Sequence, residues 1–222
     1  MEYKHILPGD IEKTSMSIIE GELAEMGIKI DESIRPVMYR VIHTSADFDY
    51  VKNLRITDGA VEAVVEKLRT GGLTFITDTN MALSGINKSA LSKTGNSACC
   101  YMAEPDIAVA AKERGTTRAA VSMERGLAEY PEGIFVSGNA PTALITISEM
   151  IRQGHKPSMV IGVPVGFVNV VESKEELLQV CEEFGIPAII ALGRKGGSNV
   201  AASICNALLY MASDGVDPDK RY

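Results

Sequence analysis

Ile134-Phe135-Val136-Ser137, followed at once by Gly138-Asn139-Ala140-Pro141-Thr142, is the stretch on which the fold turns. An uncharged run of β-branched and aromatic residues reads as a strand. Because its apolar character does not alternate, both faces are covered, as in a parallel sheet. The glycine and proline behind it mark a tight turn into a helix. The same grammar recurs outward, with strands expected at 73–77, 97–102, 159–163 and 188–192 and helices near 105–114, 117–129, 141–153, 173–184 and 198–212. A helix over 58–70 precedes them, with Thr57 as cap, Gly71-Gly72 as stop and Val61, Val64, Val65 and Leu68 as its buried stripe. This alternation predicts an α/β fold, a largely parallel central sheet flanked by helices. No repeat, linker or low-complexity segment interrupts it, so one domain is expected over 1–222.

The loops that leave the strands carry the chemistry. The carboxyl ends read Asp78-Thr79-Asn80, Gly138-Asn139-Ala140, Pro164-Val165-Gly166-Phe167 and Gly193-Arg194-Lys195-Gly196-Gly197-Ser198. In a parallel sheet these lie on one edge, where helix N-termini turn free N–H groups toward a ligand and favour an anion. The plain alternative is that each glycine serves only its own turn. None of these loops has the G-x-G-x-x-G or Walker A spacing, which argues against a nucleotide.

In the N-terminal third, Asp10 is placed to cap a helix running to Met26 and stopped by Gly27, with Ile11, Ile18, Ile19, Leu23 and Met26 as its apolar stripe. Ser15 lies on that stripe, facing the interior or a site, or back-bonding to the carbonyl one turn earlier. Ser33 and Pro36 signal a second helix through Val37, Met38, Val41 and Ile42 to His43. At a helix C-terminus the dipole favours an imidazolium, which suits proton donation as well as simple capping. Asp47 is close enough in sequence to orient the ring. His5 and His155 are weaker candidates.

Composition narrows the class further. The chain has 222 residues and 23.8 kDa, 45% apolar and 23% charged, with mean hydropathy +0.07. At that length about 70% of the surface is buried on folding, enough for a full core. The 22 basic and 29 acidic residues give a formal charge of −7, with no basic run to follow a phosphate backbone, so no nucleic acid partner is expected. No apolar stretch reaches membrane-spanning length, and the N-terminus has no signal-like core, so a cytoplasmic location is expected. The four cysteines lack ligand spacing and read as free thiols, with no metal site expected.

Taken together, Arg40-Val41-Ile42-His43, Gly115-Thr116-Thr117-Arg118-Ala119-Ala120, Gly138-Asn139-Ala140-Pro141-Thr142-Ala143-Leu144, Gly162-Val163-Pro164-Val165-Gly166-Phe167-Val168, Glu172-Ser173-Lys174-Glu175 and Gly193-Arg194-Lys195-Gly196-Gly197-Ser198 resemble the precorrin-8X methylmutase (precorrin isomerase) family, which includes the cobalt-precorrin-8 methylmutases. The resemblance spans nearly the whole chain. It implies a cofactor-free isomerase of cobalamin biosynthesis that moves a methyl group between adjacent carbons of ring C of a reduced tetrapyrrole. It also implies a homodimer with active sites near the subunit interface. By the same resemblance His43 is the key proton or hydrogen-bond donor, Ser15 the serine of the first helix and Arg118 a substrate-facing arginine. One departure is Asn80, where some members carry a basic residue.

Such a reaction needs a rigidly held substrate and a well-placed proton rather than a nucleophile or metal. The substrate's carboxylate fringe suits a receptor built from Thr117, Arg118, Gly138, Asn139, Ala140, Pro164, Arg194, Gly196, Gly197 and Ser198, with Gly166-Phe167 as a face for the flat ring and Ser15 and Asp78 also expected among the substrate-binding residues. Asp78 is expected to order its loop, since an unperturbed carboxyl is ionised at pH 7. The many anion-accepting helix starts also suggest tight product binding and handover to the next enzyme of the pathway. The rival is a non-catalytic carrier or sensor of an anionic tetrapyrrole. The residues leave open whether the substrate is metal-free or already contains cobalt.

Overall fold

The computed structural model describes residues 7–213. Its sheet contains β1 (Leu54–Ile56), β2 (Thr74–Thr77), β3 (Ser97–Cys99), β4 (Ile134–Ser137), β5 (Met159–Gly162) and β6 (Ala188–Ala191), in the order β1-β6-β5-β4-β2-β3. All neighbours pair in parallel except β1, which joins β6 antiparallel with Arg55 opposite Ile190. Every residue of β2, β4, β5 and β6 is buried, as their unbroken apolar runs require. The alternation of side chains splits them between two cores: Phe75, Ile134, Val136, Ile161 and Ile189 face one layer of helices, and Ile76, Phe135, Val160 and Ile190 the other.

The first layer contains α1 (Pro8–Glu25), α2 (Arg35–Ser45), α4 (Ala60–Thr70) and α11 (Ser198–Ala212). The second contains α7 (Pro105–Glu113), α8 (Arg118–Glu129), α9 (Pro141–Arg152) and α10 (Val170–Phe184). Three short helices, α3 (Tyr50–Asn53), α5 (Asn80–Gly85) and α6 (Lys88–Lys93), fill the remaining connections.

Several local expectations are corrected. Leu7, not Asp10, occupies the cap position of α1, because Pro8 supplies the pre-set first turn; Asp10 sits inside that turn. Ile19 and Leu23 are buried, but Ile11, Ile18 and Met26 are about half exposed, since α1 packs chiefly on α2 and one neighbour covers one side. Ser33 does not cap α2; its N–H and hydroxyl both donate to Asp31. Thr57 likewise gives up capping, and its Oγ1 accepts the Ala188 N–H at 2.9 Å, tying the end of β1 to β6. Strand β3 stops at Cys99, short of Met102. The stripe of α4 is buried as expected.

Candidate active site

The carboxyl edge of the sheet is organised around Asp78, just past β2 and fully buried. Its Oδ1 accepts the Gly138 N–H at 2.9 Å. Its Oδ2 accepts the N–H groups of Asn139 (2.8 Å) and Ala140 (2.7 Å) and the Ser137 hydroxyl (2.9 Å). These donors are what permit a carboxylate to sit without water. Asp78 is therefore the loop-ordering residue and not the substrate contact also expected of it, because its carboxylate is buried beneath these four protein donors. Three amides that sequence alone offers to a ligand are already engaged.

The neighbouring loops lock together in the same way. Gly197 donates to the Val163 carbonyl at 2.8 Å, and Gly166 to that of Arg194 at 3.2 Å. A Cβ on Gly196 would lie 2.1 Å from the Val163 oxygen, and one on Gly138 would lie 2.7 Å from the Ser198 Cα, so both approaches require glycine. The Ser198 and Thr79 hydroxyls share a 2.8 Å hydrogen bond, while Thr79 caps α5 through the Ala82 N–H. Thr117 caps α8 and meets the Thr142 hydroxyl at 2.8 Å, bringing the start of α8 beside that of α9. Pro164 is buried.

Side chains are among the groups still presented to solvent. Arg118 is exposed and touches the Met102 carbonyl at 3.3 Å; Asn139 is also exposed. Phe167 is 80% exposed with the Arg194 guanidinium 5.3 Å from its ring centre, so it is a surface platform and not core. The N–H groups of Gly138, Asn139, Ala140, Gly166 and Gly197 are already taken, while arginine, amide and aromatic side chains at this edge remain exposed.

His43 lies in the last turn of α2, exposed, where the sequence places it. With Ser15, Ile18 and Glu22 of α1 and Phe48 it lines a cavity of about 330 Å³. The Ser15 hydroxyl donates to the Ile11 carbonyl at 2.9 Å, the back-bonded arrangement, which leaves its oxygen able to accept. Arg40, one turn before His43, pairs with Glu12, one turn before Ser15, and stacks 4.4 Å over the Tyr210 ring; these contacts set the register of the two helices.

Asp47 does not orient the imidazole. It binds Lys195 at 2.7 Å, and that ammonium holds its carboxyl below the ordinary carboxylate range. His155 follows α9, whose C-terminal end lies away from this edge, and His5 falls outside the described residues. Lys174, absent from the sequence-derived site, is fully buried and donates to the Gly193 and Lys195 carbonyls at 2.9 and 2.8 Å; burial pushes its ammonium down to about 8. Its place on the buried stripe Val170, Lys174, Leu177, Cys181 is the signal that marks it. Among the described residues no group of three or more His, Cys, Asp or Glu is arranged for a metal, and no helix is long and apolar enough to cross a membrane.

A doubly covered parallel sheet with arginine-bearing loops at its carboxyl edge, and with an exposed histidine on the rim of the α1–α2 cavity, is the architecture of an α/β protein whose candidate ligand site lies at that edge. A family model for precorrin-8X methylmutase matches residues 10–211, and the chain belongs to that family. It is similar to the cobalt-precorrin-8 methylmutase of Salmonella typhimurium, 43% identical over 210 residues, covering 91% of this chain and 95% of that protein. It also resembles the precorrin-8X methylmutase of Pseudomonas aeruginosa, 37% identical with 89% and 93% covered. The crystal structure of the Thermus thermophilus precorrin-8x methyl mutase superposes with a TM-score of 0.81 at 36% identity, covering 93% of this chain and all of that one.

Proposed function

We propose that this chain catalyses the ring-C methyl migration that converts precorrin-8X or cobalt-precorrin-8 to hydrobyrinate or cobyrinate in cobalamin biosynthesis. The observation that carries the proposal is His43, exposed at the rim of the α1–α2 cavity in a chain of the methylmutase family. As an isomerisation, the reaction breaks one carbon–methyl bond and forms the adjacent one, with no atom gained or lost. His43 donates a proton or hydrogen bond to the macrocycle as its conjugation shifts and recovers it at the end. Arg118, Arg194 and Asn139 hold the carboxylate fringe, and Phe167 lies against the ring plane. Ser15, on α1 beside His43, offers its hydroxyl oxygen to the substrate, and Thr117, Pro164, Gly166, Gly196, Gly197 and Ser198 shape the loops around it. Asp78 and the Gly138–Ala140 turn are the scaffold beneath them.

The same reading includes a cytoplasmic homodimer, a single domain over 1–222 and handover of a tightly held product. The exposed Ile11, Ile18 and Met26 of α1 support the dimer, because a second copy over them would bury apolar surface and enclose the His43 cavity. Anaerobic incubation with precorrin-8x and, separately, its cobalt form, followed by visible spectroscopy, tests the activity. Wild type converts at least one substrate, and His43→Ala slows turnover about 10²–10⁴-fold. Spectral binding without conversion by either protein would instead establish a carrier.

A further inference from the structure

Two lysines hold the β6–α11 loop, and neither has a part in the chemistry proposed above. Lys174 pins it from inside through the carbonyls of Gly193 and Lys195. The Lys195 side chain reaches the other way, its Nζ 2.7 Å from Asp47 Oδ2 and 2.6 Å from Asp49 Oδ2. Those carboxylates belong to a bonded turn that continues α2. The Asp49 N–H donates to Asp47 Oδ1 at 2.9 Å, the Asp47 N–H to Ser45 Oγ at 3.3 Å, and the Ser45 hydroxyl to the Val41 carbonyl at 2.7 Å. His43 sits inside that same last turn. A continuous set of contacts thus runs from the buried Lys174, through the loop bearing Arg194, to the helix end bearing His43.

We propose that Lys195 is a positioning residue: by gripping Asp47 and Asp49 it fixes His43 relative to the loop whose Arg194 holds the substrate's carboxylates. The inference rests on the reading of His43 as proton donor. Both ion pairs of Lys195 draw on side chains that water reaches, so their contribution to stability is small, whereas displacement of a reacting group by an ångström costs much of the rate.

The test compares Lys195→Met, Asp47→Asn/Asp49→Asn, the triple variant, Lys195→Arg and His43→Ala, measuring kcat with precorrin-8x, Kd for hydrobyrinate and Tm. Lys195→Met and the double asparagine variant should each lower kcat about tenfold or more. Product Kd should stay within about twofold, and Tm within about 3 °C. The triple variant should be no slower than the double, because both remove one interaction, and Lys195→Arg should recover most of the turnover. Should Lys195→Met not fold, the asparagine pair, with unchanged side-chain shape, decides the matter. Wild-type kcat in Lys195→Met, or in the asparagine pair where that decides, overturns the proposal. So does tighter product binding with full kcat in the asparagine pair, which would make Lys195 a direct ligand of the substrate. Full turnover by His43→Ala removes the underlying reading; its collapse beside a normal Lys195→Met removes only the inference.

Discussion

Replacing Asp78 by asparagine keeps the side chain's shape and removes its charge, which isolates the role of the carboxylate. Four donors converge on it, one at Oδ1 and three at Oδ2. The least costly orientation of the substituted amide places its NH2 where Oδ1 was, facing the Gly138 N–H, so that one buried donor loses its acceptor. That costs about 1–3 kcal/mol. The three bonds at the remaining oxygen fall from charge-assisted to neutral and lose roughly half their strength. The Ser137 hydroxyl softens this loss because it already has a second acceptor in the Ala140 carbonyl at 3.1 Å. Relief from burying a charge offsets part of the remainder, leaving a net destabilisation of about 3 kcal/mol. For a domain of this size that lowers Tm by about 6–12 °C. Thermal melting and urea titration at constant m measure it, alongside turnover of precorrin-8x. A Tm within about 2 °C of wild type would refute the loop-ordering role. Normal melting with lost turnover would move Asp78 from scaffold to chemistry.

Gly196→Ala brings a methyl within 2.1 Å of the Val163 oxygen, so the β5 and β6 loops must separate; urea titration should show a loss of about 2 kcal/mol or more, and product affinity should fall. Ser15→Ala removes only a back-bond to Ile11 and installs a better helix former, so Tm should hold or rise slightly while turnover drops; unchanged turnover would confine Ser15 to its helix. Lys174 titrates near 8 in the fold against 10.5 when unfolded, so between those values the unfolded chain binds more protons and stability rises with pH. The urea midpoint of wild type should therefore gain on that of Lys174→Met from pH 8 to 10.5, by up to about 3 kcal/mol in free energy; parallel pH curves would contradict a buried ammonium.

Five parallel strands, the long helices between them and the edge where the loops gather are all legible in the amino-acid order. Each arises from short-range signals: unbroken apolar runs for strands covered on both faces, 3.6-residue stripes for helices, and glycine or proline at the turns. The position of His43 in the last turn of a helix is legible too, because Pro36 and the apolar stripe fix where that helix begins and how it faces. Which groups meet is a property of the folded chain and not of any segment. Strand β1 is three residues long with an exposed arginine in the middle and exists only because β6 offers it an edge. The amides of Gly138, Asn139 and Ala140 look free in sequence but are taken by Asp78, some 60 residues away. Asp47, beside His43 in the chain, turns instead with Asp49 to Lys195, 146 residues beyond the latter. Periodicity reports which face of an element is buried; it carries no information about which distant charge or carbonyl the fold brings against it, and the chemistry of this site depends on those encounters.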